Sequence, residues 1–284
     1  MGLSRKEWLI LGASCATSAV VLHYTAKFVR QYIKDRKHPY VTVGQVSELY
    51  IYPLESCRGR QVNSMICEEY GGKHEELEER HFVMVDMRTK AMITALTHPR
   101  LVLVDCDVTD GVLTLTTPES TPIRVNIHKV VKENKIITYN LCENVKRSGL
   151  DCGTAAAEWC TRTLQIVAPV KLLYCVDGLA AQPSILGKCL NAWSQYQNQC
   201  VRLTPYISIN QESLNNLNSH SESDGVPATT RHFRPSIVID ECEPYDEDKW
   251  MEIRIGNCEF DCFEPCARLL FTLETTIIMR HITL

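Results

Sequence analysis

Val43 to Gly59 reads VGQVSELYIYPLESCRG, and its first half sets the pattern of the chain. From Val41 to Tyr52 branched and aromatic residues recur until Pro53 closes the run, as in a β-strand that ends at a turn. Outward from there, Phe82 to Asp86, Leu101 to Val108, Val112 to Thr117 and Ile123 to Val131 are strand-like in branched content or alternation, with Asp110-Gly111 as a hairpin turn. Strands this closely spaced predict a barrel or sandwich core. Gly153 to Gln165 (GTAAAEWCTRTLQ) reads as a helix with Asp151 as a cap near its first turn, and a shorter helix, Gln211 to Asn218, follows the strand-like Tyr206 to Ile209. Ser219 to Thr230, rich in Ser, Asp, Gly and Pro, reads as an exposed loop. Pro235 to Asp240 and Trp250 to Phe260, turning at Gly256-Asn257, then resume the strands. The fold class is α+β with strands dominant, and a soft boundary falls near Gln165 to Gln182.

The N-terminus is built differently. Trp8 to Ala26 (WLILGASCATSAVVLHYTA) holds no charged residue and is flanked by Arg5, Lys6, Lys27 and Arg30. About 19 residues at ~1.5 Å each just span a hydrocarbon core, so one transmembrane helix, a retained signal anchor, is expected. A cleaved signal peptide ending near Ala26 is the rival reading, but the apolar run is longer than a typical signal core and a basic stretch, Lys27 to Lys37, follows it. That stretch suits an anionic membrane surface. Basic residues on both flanks leave the orientation open.

The 284 residues are 45% hydrophobic with a formal net charge of -4, which places the chain among folded globular proteins. The charge balance excludes a general attraction to nucleic acid, and no aromatic-plus-basic RNA-binding signature is present. The 14 cysteines are too sparse for a disulfide scaffold and read as mostly reduced and buried. No Ser-His-Asp order, zinc-protease motif or phosphate-cradling glycine loop supports a hydrolase or kinase.

Four segments in chain order carry a resemblance: VGQVSELYIYPLESCRG, HPRLVLV from His98, DCGTAAAEW from Asp151, and HFRPSIVID from His232 with DKWMEIRIG from Asp248. Together they resemble the MOSC family, and within it the amidoxime-reducing component. The resemblance implies residues 1–38 as membrane anchor and basic linker, 39–168 as a MOSC N-terminal barrel-like domain, and 169–284 as a MOSC β-barrel domain that is C-terminally short. It implies an anchor in the outer mitochondrial membrane with the catalytic part facing the cytosol. It further implies a molybdenum cofactor, a pyranopterin with a phosphate tail, in a cleft between the two parts; pyridoxal phosphate binding is also among the family's attributes. A phosphate and pterin call for Arg, Lys, Ser or backbone donors, and the metal for a soft thiolate.

By resemblance the cofactor residues are Ser56, Arg80, Thr204 and Arg234. The family's phosphate-binding Lys-Ser pair falls on Glu55-Ser56, so only the serine matches and the carboxylate opposes a phosphate. Read without the family, Arg80 is a surface arginine in the acidic run Glu75 to Glu79, Arg234 a strand-edge residue before Pro235, and Asp151-Cys152-Gly153 a helix entry. The family's Cys-x-Arg-Cys motif, whose second cysteine ligates molybdenum, falls on Cys266-Ala267-Arg268-Leu269, so leucine stands at the ligand position. Cys266 is the candidate replacement ligand, but three residues along a strand reverse the side-chain face and move the sulfur by roughly 10 Å. Cys258, Cys262 and Cys266 recur every four residues; a zinc or iron-sulfur site competes there with buried or idle thiols.

The implied activity is reduction of small N-hydroxylated compounds, with electrons from cytochrome b5 and its NADH-dependent reductase. The alternative is a catalytically impaired, membrane-tethered MOSC scaffold or a truncated isoform. A sulfur-carrying protein using Cys152 or Cys266 as a persulfide is a third reading.

Overall fold

In the computed structural model the described residues are 25, 40–142, 145–176, 205–220, 227–265 and 277–281. The chain divides into two compact units, Met1–Thr42 and Val43–Leu284. In the first, Thr25 is helical and the rest of the Trp8 to Ala26 run lies outside the described residues. Among the described residues no helix is long and apolar enough to cross a membrane.

The second unit runs β1 (Gln45–Ile51), β2 (Arg60–Val62), β3 (Ile66–Glu68), β4 (Gly71–His74), β5 (Leu77–Glu78), β6 (Phe82–Asp86), β7 (Asp105–Thr109), β8 (Val112–Thr117), β9 (Ser120–Asn126), α1 (Ile127–Glu133), β10 (Ile136–Cys142) and β11 (Val145–Asp151). It continues with α2 (Thr154–Leu164), β12 (Val170–Tyr174), β13 (Tyr206–Asn210), α3 (Gln211–His220), α4 (Thr230–Phe233), β14 (Ile237–Asp240), β15 (Glu252–Ile255), β16 (Cys258–Pro265) and β17 (Ile277–His281). The result is a strand-dominated α+β fold.

One sheet joins the two ends of the unit, in the order β15-β16-β17-β13-β14-β1-β2. Its neighbours pair antiparallel except β13 with β14, which are parallel and linked by the connection that carries α3 and α4. A parallel pair cannot be closed by a tight turn, so this crossover is required. Side chains alternate across the sheet. Ile237 and Ile239 of β14 join Tyr206, Ile253 and Phe260 on one face, while Val238 joins Tyr50, Tyr52, Ile209, Leu214 and Phe233 on the other. With both faces covered, β13 (YISIN) is buried at every position, as a strand between two layers must be.

The remaining strands form β10-β11-β12-β6, β3-β4-β5 and β7-β8-β9 around a core that includes Leu54, Phe82, Met84, Leu101, Leu113, Leu115, Trp159 and Leu172. The Asp110-Gly111 hairpin forms as expected: both residues take positive φ, 52° and 67°, and Thr109 pairs with Val112. Those angles match the right-handed twist of the flanking strands. Gly256 likewise turns β15 into β16 at φ 60°.

Two expected strands are shorter than read. Leu101 to Val108 is not one strand: Pro99–Leu103 is a 3₁₀ turn, and β7 starts at Asp105. Pro99 presets the first helical position, and Leu101 is the residue of this turn that enters the core. Ile123 to Val131 also splits, because the Asn126 side chain accepts the Lys129 N–H at 2.9 Å and starts α1 there. Asp151 does not cap α2 directly. Its carboxylate accepts the Gly153 N–H at 2.9 Å and pairs with Lys171, while Gly153, at φ 96°, is the cap residue. The expected loop Ser219 to Thr230 is bounded by helix at each end, since α3 reaches His220 and α4 starts at Thr230; residues 221–226 lie outside the described ones.

Candidate functional site

β1 leaves the seven-stranded sheet at Tyr52, and the chain then makes a tight turn through Glu55 and Ser56. This turn is pinned from outside: the Glu55 N–H donates to the Phe82 carbonyl, the Phe82 N–H to the Pro53 carbonyl and the Arg80 N–H to the Tyr52 carbonyl, each at 2.9 Å. The turn into β6 is thereby locked against the turn out of β1. From the other side, the Ser236 N–H donates to the Ile207 carbonyl at 2.7 Å and the Tyr50 N–H to the Ser236 carbonyl at 2.9 Å, which fixes the segment entering β14. Where these turns meet, Tyr52, Glu55, Glu79, Arg80, Ile207, Arg234 and Ser236 line a crevice of about 40 Å³.

Arg80 and Arg234, far apart in sequence, therefore face the same space. Arg80 Nε lies 3.6 Å from Glu55 Oε2 and 3.5 Å from Glu79 Oε1. Arg234 lies over the Tyr52 ring, its Cζ 4.3 Å from the centroid, and donates to the Cys57 carbonyl. Tyr52 in turn donates its hydroxyl to the Pro235 carbonyl at 3.1 Å, and its N–H to Glu79 Oε2 at 2.9 Å. Burial pushes the Glu79 carboxyl up to about 7, helped by repulsion from Glu55 and opposed by Arg80, the Tyr52 N–H and Arg234. A carboxyl held there switches between neutral and charged near physiological pH.

The backbone marks the same place. Ser56, Arg80 and Arg234 all take left-handed conformations, with φ of 64°, 58° and 53°. Non-glycine residues enter that region at a cost of roughly 1–2 kcal/mol each and persist where the surroundings over-determine them.

Of the residues expected to hold a cofactor, Arg80 and Arg234 line the crevice directly, and Ser56 sits half-buried in the adjoining turn, one residue beyond Glu55. Thr204, Cys266 and Leu269 lie outside the described residues. Cys258 and Cys262 are both on β16, packed against the Tyr206–Phe260 side of the sheet. Among the described residues no three His, Cys, Asp or Glu side chains converge as a metal-ligating group. Cys152 is buried, and that burial raises its thiol well above the ordinary range, the opposite of what an accessible sulfur carrier needs.

Sequence reasoning passed over Tyr52, Glu79, Ile207 and Ser236. Tyr52 and Ser236 each adjoin a proline at a strand end, and Glu79 precedes the candidate Arg80, so their positions were visible; their burial was not.

Residues 43–166 match the MOSC N-terminal beta barrel domain and residues 196–269 match the MOSC domain, so the sheet and its crevice belong to a two-module MOSC architecture. Over 248 residues the chain is 30% identical to mitochondrial amidoxime-reducing component 1 of Danio rerio, covering 86% of this chain and 74% of that protein. It is 30% identical over 278 residues to component 1 of Homo sapiens (95% and 77% covered) and 31% identical over 282 residues to component 2 of Rattus norvegicus (98% and 81% covered). The chain belongs to the MOSC family of mitochondrial amidoxime-reducing components. Among solved structures it is similar to a solution structure from Bordetella bronchiseptica, with TM-score 0.32 and 17% identity, over 41% of this chain and 92% of that one.

Proposed function

We propose that the chain is a molybdenum-cofactor oxidoreductase that reduces small N-hydroxylated compounds of the amidoxime type, with electrons from cytochrome b5 and its NADH-dependent reductase. The observation that carries this reading is the convergence of Arg80 and Arg234 on one crevice. The donor set fits an anionic, hydrogen-bond-accepting group. Guanidinium forks are planar, always charged and suited to phosphate and pterin oxygens, and here two of them reach one space from opposite turns. Glu55 is the departure from that fit.

Arg80 and Arg234 would hold the anionic end of the pyranopterin, with Ser56 in the neighbouring turn and Thr204 adding hydroxyl donors. Tyr52 orients Arg234 by lying under it, and Glu79, fixed by the Tyr52 N–H, orients Arg80. When bound, the molybdenum centre supplies the redox chemistry that removes oxygen from the substrate nitrogen. The division into residues 39–168 and 169–284 is supported by the two family matches. We further propose that Trp8 to Ala26 tethers the chain to the outer mitochondrial membrane; the uncharged run supports a tether, and the relatives' names support a mitochondrial location. Release of the full chain by an alkaline carbonate wash counts against the tether.

A second reading is favoured by the Arg80–Glu55 ion pair and by Leu269 at the family's ligand position: a membrane-tethered MOSC protein that keeps the pterin crevice but has lost turnover. Reconstitution with cytochrome b5 and its reductase separates the two. NADH consumption that depends on an added amidoxime supports the reductase; no consumption by protein with bound molybdenum selects the non-catalytic reading.

A further inference from the structure

We propose that Glu55 is an internal competitor for the anion-binding face of Arg80, so that the hold of the crevice on a phosphate-bearing ligand is set by how readily this carboxylate is displaced. The proposal deepens the cofactor reading, since it concerns the same arginine. Two carboxylates approach Arg80 Nε, Glu79 at 3.5 Å and Glu55 at 3.6 Å. They are not equivalent. The Glu79 side chain is 5% exposed and its other oxygen is held by the Tyr52 N–H at 2.9 Å, so it stays in place beside Arg80.

Glu55 is different. Its backbone is fixed through the Phe82 carbonyl, but its side chain is 24% exposed and, among the described residues, Arg80 is its ion-pair partner. Rotation of one side chain therefore exchanges the internal carboxylate for an external anion without moving the backbone. Both carboxylates sit on Arg80, while Arg234 stacks on Tyr52 and donates to the Cys57 carbonyl, so a phosphate dianion gains the Arg80 guanidinium only by displacing one of the two. Of the two, Glu55 is the one free to leave. A neutral or singly charged group meets less opposition, which makes Glu55 a specificity-determining residue of the site.

The test is calorimetric titration of the full-length protein with inorganic phosphate at low ionic strength. Wild type is compared with Glu55→Gln and Glu55→Lys, alone and with Arg80→Gln, and the circular dichroism of each is checked for an intact fold. Removing the carboxylate should tighten phosphate binding roughly tenfold, the lysine should tighten it further by its own charge, and the added Arg80→Gln should abolish the gain of Glu55→Gln. Glu55→Gln is nearly isosteric at a partly exposed position and keeps the test valid should the lysine variant fail to fold. Equal affinity in wild type and folded Glu55→Gln, including no binding by either, overturns the proposal, as does a Glu55→Gln gain that survives loss of Arg80. Pterin content is read on the same preparations. A phosphate gain with no pterin in any variant overturns the cofactor reading and leaves the competitor role standing.

Discussion

Arg234 and Tyr52 hold each other in place: the guanidinium carbon sits 4.3 Å from the ring centroid, while the ring's hydroxyl donates to the carbonyl of Pro235, the residue after Arg234. The stack joins the end of β1 to the start of β14, so it ties the crevice to the sheet that unites the two ends of the unit. Arg234→Lys keeps the charge but loses the planar stack and the geometry of the bond to the Cys57 carbonyl. We expect about 1–2 kcal/mol of lost stability for Arg234→Lys and about 1 kcal/mol for Tyr52→Phe, by urea denaturation. Tyr52→Phe keeps the ring, so the stack is read from a cycle of Arg234→Lys with Tyr52→Leu, in which the double variant should lose less than the sum of the single losses. Strict additivity would show that the stack contributes nothing.

Glu79 makes stability depend on pH in a defined direction. Its folded-state value of about 7 lies above the ordinary 4.5, so between those limits the folded protein keeps a proton that the unfolded chain has released. Folding is therefore favoured most at the acidic end of the window, and this contribution declines as pH rises from 4.5 to about 7, then levels off. The decline amounts to about 3 kcal/mol. Denaturant midpoints from pH 5 to 8 should show this slope in wild type and a flatter one in Glu79→Gln. Identical slopes would place the titration elsewhere.

Gly59 lies against the same ring. A Cβ built there would meet Tyr52 Cε1 at 2.5 Å and Cζ at 2.7 Å, closer than atoms can approach. Gly59→Ala must push the ring out from beneath Arg234, at a cost of roughly 1–3 kcal/mol. The measurable signs are a lower thermal midpoint and a changed tyrosine near-ultraviolet dichroism; an unchanged spectrum would show that the turn, not the ring, gives way.

The strands with the strongest period or the most continuous apolar run were legible. Phe82–Asp86 and Val112–Thr117 carry their pattern in every residue, and both hairpin turns are written in Asp110-Gly111 and Gly256-Asn257. What local pattern could not show was competition within an apolar run. Leu101 to Val108 looks like one strand until Pro99 starts a 3₁₀ turn, and Ile123 to Val131 until Asn126 caps a helix. β10 and β11 escaped notice because their sequences, IITYNLC and VKRSGLD, interrupt the apolar residues with polar ones, charged in β11, without strict alternation. For the site, single arginines in Glu-Arg-His and Phe-Arg-Pro say nothing alone, and resemblance picked them out. That Arg80 and Arg234 meet, and that Glu55 and Glu79 stand beside them, is a property of the sheet pairing β1 with β14 and of the turns it brings together.

Whether Arg80 and Arg234 together hold a molybdenum pyranopterin is tested most directly by the pterin and molybdenum content of the full-length protein from a cofactor-making host. Wild type should carry pterin fluorescence through gel filtration, Arg80→Ala and Arg234→Ala should lose it, and Leu269→Cys should retain more molybdenum than wild type. Absence of pterin from both wild type and the Leu269→Cys variant, or its undiminished retention when either arginine is removed, would contradict the account.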